Sequence, residues 1–433
     1  MALPRSLSSL RHRNARRFFF GMLVSNVGTW IQSTATSVVV FRLTGRATDV
    51  GITLLCQFLP MLLLGAWAGA VADRVDKRKM AIITQAGMGA QALVLGVLEL
   101  SGNLTLPAVY VLSAVLGVLA ALDNPARRGY VLETVEPSEI TNAVSLNTAV
   151  MTGSRIFGPA LAALLIDPLG AGWLFVLNGV SFLAVLVSLV FVDESQLHRS
   201  PTAPRGGQPV RDGLRYLWRD RRLRIIYLVF IVIGTFAFNY SVSLLKLSAV
   251  RFGDERIFGW LLAVTSIGSL TGSLVMAGRT RVGSVHFVVA GVLLGVSGLA
   301  LAWSPSVWVA AALGVPLGAG GAALIASLNA ITQQQSPPDM RGRLLALGAV
   351  AFLGTTPIGA PITGWVADRV SAEWSLAYGS VITLVSISIG AVLLRPRARG
   401  ALVPSHQGEA IAAADHHADA GGVVVQGGGA ATG

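Results

Sequence analysis

The chain lacks much of what a soluble enzyme needs. Charged residues make up only 12% of its 433 residues, about half the share of an ordinary globular domain. There is a single cysteine, Cys56, which excludes an internal disulfide and a thiolate-bound metal cluster. No Gly-x-x-x-x-Gly-Lys-Ser/Thr loop is present, so nothing cradles a nucleotide's phosphates and a built-in ATP motor is excluded. No extended polar stretch offers a soluble domain for nucleotide, nucleic-acid or peptide chemistry. The formal net charge is +12, but the basic residues sit in short loops and do not form a nucleic-acid-binding face.

What is there is hydrocarbon. Apolar residues make up 53% of the chain. They gather into twelve runs, at 18–41, 50–72, 80–100, 105–122, 140–166 and 171–192, then 224–249, 257–278, 283–303, 305–329, 344–367 and 374–394. Crossing the ~30 Å hydrocarbon core takes about 20 helical residues. The runs are too long and too continuously apolar for barrel strands, so helices must satisfy the backbone. The fold class predicted is an all-α integral membrane protein with twelve transmembrane helices in two six-helix bundles. The weakest boundary is Ser304-Pro305, all that divides the ninth run from the tenth.

Orientation follows from counting Lys and Arg. The amino terminus, the loops after the even-numbered runs, the central linker and the carboxyl tail hold 26 of the 33 basic residues. The opposite loops hold six: Arg42, Arg46, Lys246, Arg251, Arg256 and Arg369. Both termini and the linker are therefore expected in the cytoplasm, with the chain in a bacterial cytoplasmic membrane. A signal peptide is not expected, because the first run contains Asn26 and Gln32 and lacks a small-residue cleavage site. The expected organisation is a cytoplasmic arm (1–17), an N-terminal bundle (18–192), a linker (193–222), a C-terminal bundle (223–394) and a disordered tail (395–433). The tail histidines His406, His416 and His417 fit that disorder better than a metal site. Residues 211–224 read as a basic amphipathic segment at the inner surface, with Leu214, Leu217 and Trp218 on one face.

The halves echo each other. A shift of 201 residues superposes Pro137 on Pro338, Leu146 on Leu347, Gly153 on Gly354, Gly158 on Gly359 and Asp167 on Asp368. Repeated halves around a central cavity are how many secondary transporters work.

The loop after the second run reads Gly69-Ala-Val-Ala-Asp73-Arg74-Val-Asp76-Lys77-Arg78. It resembles the Gly-x-x-x-Asp-Arg-x-Gly-Arg-Arg loop of the major facilitator superfamily, with Asp76 where that pattern has its second glycine. The turn there is expected to form without glycine, at some cost. Three further stretches are similar to the bacterial branch of the enterobactin exporter and macrolide efflux pumps: Asp123-Asn124-Pro125-Ala126-Arg127, Arg155-Ile-Phe-Gly158-Pro159-Ala, and Pro338-Asp339-Met-Arg341-Gly342-Arg343. The resemblance covers 18–394 and implies two pseudo-symmetric bundles working by alternating access. It also implies a cytoplasmic latch in which Asp73 meets the start of the eleventh helix near Arg343. Gly69, Arg74, Arg78 and Arg127 or Arg128 belong to that network.

Arg155 lies 12 residues before Asp167, roughly 18 Å along a helix, and so near the bilayer middle. A charge there must face protein or water. Two readings stay open: a cavity residue holding an anionic group or coupling to protons, and a structural arginine clamped to carbonyls or an acid. Asn26, Gln32, Gln57 and Asn147 in the first half, with Asn239 and Asn329 in the second, are candidates to line the path. Interhelical hydrogen bonds alone would also explain them. Asp123, taken to sit at a membrane edge, is the candidate for ion coupling. These residues together predict a non-enzymatic, cofactor-free, monomeric secondary transporter. A proton or other ion would drive efflux of a lipophilic or amphipathic small molecule, drug-like or siderophore-like. Import, or a non-transporting sensor or assembly role, are the alternatives.

Overall fold

The computed structural model describes residues 5–72, 74–193, 195, 197–198 and 209–395. Its first bundle contains α1 (Arg13–Thr44), α2 (Ala47–Ala72), α3 (Lys77–Leu100), α4 (Leu106–Glu133), α5 (Ile140–Leu169) and α6 (Ala171–Val190). A linker helix, α7 (Pro209–Arg219), follows. The second bundle contains α8 (Arg221–Phe236), α9 (Tyr240–Arg251), α10 (Ile257–Ala277), α11 (Ser284–Ala302), α12 (Val307–Gln335), α13 (Pro338–Leu353), α14 (Thr356–Arg369) and α15 (Ala372–Leu394).

Among the described residues, 11 segments are long and apolar enough to cross a membrane. Two of them run through a break, α8 into α9 and α13 into α14. The twelfth pass is α1, whose 32 residues give ample length. Its Ser25, Gln32, Thr34 and Thr36 lower its apolarity, and all four are buried against the rest of the bundle. An even number of passes puts the start of α1 and the end of α15 on one face, here the terminal face. The other is the distal face.

Local chemistry sets the element ends. Gly45 closes α1 at φ 65, a left-handed conformation costly for other residues, and its N–H returns to the Phe41 carbonyl at 2.7 Å. The Ser304-Pro305 boundary is a real break. Arg251 Nε donates to the Ser304 carbonyl at 2.9 Å, and Ser306 caps α12. Asp76 needs no left-handed turn. It is the N-cap of α3, at φ −62 and ψ 113, and accepts from the Lys79 N–H at 3.0 Å. An N-cap acid replaces the glycine with a different device.

The sequence boundary failed at α4. The apolar run stops at 122, yet the helix continues through Pro125 to Glu133. The amphipathic segment ends at Arg219, where Asp220 caps α8 through the Arg222 and Leu223 N–H groups. Leu217 is buried, while Leu214 and Trp218 stay exposed. In α7, Asp212 pairs with Arg343 of α13 at 3.2 Å, so the linker helix is tied to the second bundle. The tail from 396, with its three histidines, lies outside the described residues.

Candidate functional site

The two bundles meet through α2 against α14 and through α5 against α10. Arg155 stands at the middle of α5, between them. Its guanidinium carbon lies 5.1 Å from the Trp30 ring centre, from α1, and 4.8 Å from that of Phe352, from α13. Gly158 makes the first contact possible: a Cβ there would come within 2.3 Å of Trp30 Cβ. Among the described residues Arg155 has no acidic partner, and its buried Nε has no hydrogen-bond partner. Two aromatic faces hold the cation through the quadrupoles of their rings, while its Nε donor is left without a partner among the described residues.

Both helix breaks of the second bundle lie at this level. Phe352 lies in the last turn of α13, beside the Gly354-Thr355 interruption, and joins an aromatic cluster with Phe230 and Phe238. Asn239 sits at the other break, where its Nδ2 donates to the Thr235 carbonyl at 2.7 Å. Discontinuous helices at mid-membrane are a recurrent way to build transporter binding sites, because freed backbone groups line the cavity. The sequence carried a signal for one break: Pro357 disfavours a continuous helix just before it.

The polar candidates separate into distinct places. Asp123 is 2% exposed and lies about three turns before the end of α4, inside the first bundle. It accepts from Gln85 Nε2 at 2.8 Å and Thr84 Oγ1 at 3.1 Å, and pairs with Arg127 Nε at 3.2 Å. Arg127 also donates to Asn26 Oδ1 at 3.0 Å. The buried Asn26 Nδ2 has no partner among the described residues. Gln32 does not face the second bundle. It donates to Gln91 Oε1 at 3.1 Å and accepts from Asn178 Nδ2 at 2.7 Å, tying α1 to α3 and α6. The helical period puts Asn26 and Gln32 on different faces of α1, which a list of polar residues hides. Gln57, Asn147 and Asn329 are half-buried.

The latch residues are likewise dispersed. Asp73 lies outside the described residues. Among the described residues, nothing lies within 4 Å of a Cβ built on Gly69. Arg74 is exposed, and Arg128 is exposed on α4. Arg78 donates to the Leu189 and Val190 carbonyls at the end of α6, and Arg127 is engaged by Asp123 within its own bundle. Arg343 is held by Asp212.

On the distal face the bundles are clasped. Asp368, at the end of α14, accepts from the backbone N–H groups of Ala47 and Thr48 at 3.0 and 2.8 Å, and from Thr48 Oγ1 at 2.7 Å. Lys246 of α9 pairs with it at 2.9 Å and donates to the Gly45 carbonyl. Arg42 bonds Glu255, and Asp167 faces Arg256 at 3.7 Å. The structure is thus closed on the distal face.

Comparison with known proteins fixes the family. The family model described as transmembrane secretion effector, a major facilitator family, matches residues 5–426. The chain belongs to this family. Its relatives include the multidrug efflux pump Tap of Mycolicibacterium fortuitum, 27% identical over 87% of this chain and 92% of that protein. The staphyloferrin A transporter of Staphylococcus aureus is 27% identical over 60% of this chain and 66% of that protein. Among solved structures, a mutant of the nucleoside transporter NupG aligns with TM-score 0.71 at 12% identity, covering 88% of this chain and 100% of that one. This last likeness shows the fold. The protein is a multi-pass membrane transporter of the major facilitator type.

Proposed function

We propose that this transporter exports an amphipathic small molecule carrying an anionic group across the bacterial cytoplasmic membrane by alternating access, driven by an ion gradient, most simply protons. The observation that carries the reading is Arg155. It is a mid-membrane cation held by one aromatic ring from each bundle, with an unmet Nε donor and no acidic partner among the described residues. An anionic group of the cargo supplies what the site lacks, while the half-buried Trp30, Phe352 and Phe238 offer flat apolar surface. Relatives named for multidrug and siderophore transport are consistent with such a cargo.

The terminal face is the cytoplasmic face in this reading, because the sequence assigns 26 of the 33 basic residues to the termini, the linker and the loops of that side. The Gly69–Arg78 loop closes that face against α13 when the distal face opens, with Asp73 as its acid. Asp123 is the coupling carboxylate. Its bonds to Thr84, Gln85 and Arg127 would rearrange on protonation, and Arg127 and Asn26 carry the change toward the cavity. The protein works as a monomer among membrane lipids.

Everted vesicles test the proposal. They should accumulate an anionic amphiphile when energised by a proton gradient and lose it when the gradient is collapsed. Arg155→Lys should keep part of the activity, since Lys retains charge but not the planar fork, and Arg155→Ala should lose it with the fold intact. Full transport of the anion by folded Arg155→Ala would remove Arg155 from cargo binding. Gradient-driven movement only in the opposite direction would make the protein an importer.

A further inference from the structure

The distal clasp contains a sequence echo. Gly364-Trp-Val-Ala-Asp368-Arg369-Val370, at the end of α14, repeats Gly69-Ala-Val-Ala-Asp73-Arg74-Val75, at the end of α2, at six of seven positions. The two segments lie at opposite ends of an antiparallel helix pair. Each follows a helix whose carboxyl end meets, or faces, the amino end of the other. The glycines extend the correspondence. Gly364 lies four residues before Asp368, as Gly69 lies four before Asp73. Gly51 lies four residues after the first residue of α2, as Gly342 lies four after the first of α13.

The two ends are in opposite states. On the distal face, a Cβ at Gly364 would come within 2.4 Å of the Ala47 carbonyl oxygen, and one at Gly51 within 2.4 Å of that of Ala360. Both glycines are therefore required for contact. On the terminal face, among the described residues, Gly69 and Gly342 have nothing within 4 Å of a built Cβ, and neither has Gly65, the counterpart of Ala360. Docking glycines are present at both ends, but only one end is docked. The acid of the distal copy also does specific work. Asp368 caps the first turn of α2 through two backbone N–H groups, where the helix dipole favours an anion, and Lys246 adds a charge pair.

We propose that Asp368, Lys246 and the first turn of α2 form a second latch, the inverted counterpart of the Gly69–Arg78 loop, that holds the distal face shut and must release for it to open. The α2 helix then pivots between two docks built from one heptapeptide. Gly364 and Asp368 hold it at its amino end, and the Gly69 face receives α13 at its carboxyl end when the distal face opens. The inference rests on the alternating-access reading and adds to it the group that sets the resting state.

Cysteine labelling tests the latch without a cargo. In a Cys56→Ser background, one reporter is Leu54→Cys, 9% exposed on α2 near the clasp, and the other is Asn147→Cys on the terminal-face half of α5. Asp368→Asn should raise the labelling rate of the distal reporter with an impermeant maleimide by about tenfold, the scale expected for losing hydrogen bonds to a charged group. It should slow the terminal reporter. Lys246→Gln leaves both helix ends intact and should shift both rates in the same directions by less. If Asp368→Asn does not accumulate as folded protein, Lys246→Gln decides alone. Unchanged rates in folded Lys246→Gln and Asp368→Asn would overturn the latch, and so would loss of folding in both, which marks a structural clamp. A labelling shift with no gradient-driven export would keep the latch and reject the export reading.

Discussion

The two bundles share a fold but spend their polar groups differently. Among the described residues, the buried charges Asp49, Asp123 and Arg127 all belong to the first bundle. So do the buried amides Gln32, Gln85, Gln91 and Asn178, and their bonds run from helix to helix. The second bundle buries mainly hydroxyls, many bonded one turn back within their own helix: Thr235 to Ile231, Thr265 to Leu261, Thr332 to Leu328 and Thr383 to Gly379. Its helices approach through glycine, as where a Cβ at Gly318 would sit 1.9 Å from the Thr265 carbonyl oxygen. It also contains both helix breaks. A bundle stitched by cross-helix bonds moves as one body. A bundle whose hydroxyls are satisfied locally, and often bend their helices, keeps its pliable joints. The first bundle is the frame, and the second carries the joints beside Arg155.

Substitutions sharpen or break this contrast. The largest effect is expected from Asp123→Ala, which strands buried Arg127 without its carboxylate. Thermal unfolding in detergent should show a loss of about 3–5 kcal/mol, largely recovered by the double change Asp123→Leu with Arg127→Met. A small loss in the single variant would mean that the network is not a rigid frame. Gly318→Ala should cost about 1–3 kcal/mol by overpacking α10 against α12. If its unfolding midpoint is unchanged, the second bundle yields more readily than its packing indicates. Asn178→Leu removes a donor from Gln32 and should cost about 1–2 kcal/mol by leaving a buried acceptor unmet. Thr383→Ala, which loses only a bond within its own helix, should change stability by less than about 0.5 kcal/mol. Equal losses in these last two variants would erase the distinction between cross-helix and local bonding.

Much of the fold was readable because its cause is local. A helix must satisfy its own backbone in lipid, so the length and apolarity of each run announce a pass with little help from the rest of the chain. Even the narrow Ser304-Pro305 hairpin was legible. Apolarity misled at α4, where the helix outlasts its apolar run. Beyond 122 two of the charged residues, Asp123 and Arg127, face protein inside the bundle, while Arg128 is exposed. It misled again at Gln32, whose amide reads as cavity-lining until the face it occupies is known. Pro357 and the repeat of Gly69–Val75 at Gly364–Val370 were both visible signals. The repeat escapes a half-to-half comparison at a shift of 201 because it lies 295 residues apart, from the second helix to the eleventh pass.

The sequence by itself determined that this chain crosses a membrane many times, in two related halves, with a superfamily loop after the second helix and one arginine deep in the fifth. Each of those properties follows from residue type and spacing within a short segment. Only the tertiary structure decided which partner each buried polar group has, because hydrogen bonds and ion pairs reach across segments far apart in the chain. It decided that Arg155 meets aromatic rings from both halves and that Asp123 is locked to Arg127. It decided too that, of two nearly identical heptapeptides, the one at Asp368 is docked while the glycine of the other has none of the described residues against it. Docking depends on how two bundles are tilted against each other, and no local pattern of residues encodes which of the two tilts the chain adopts.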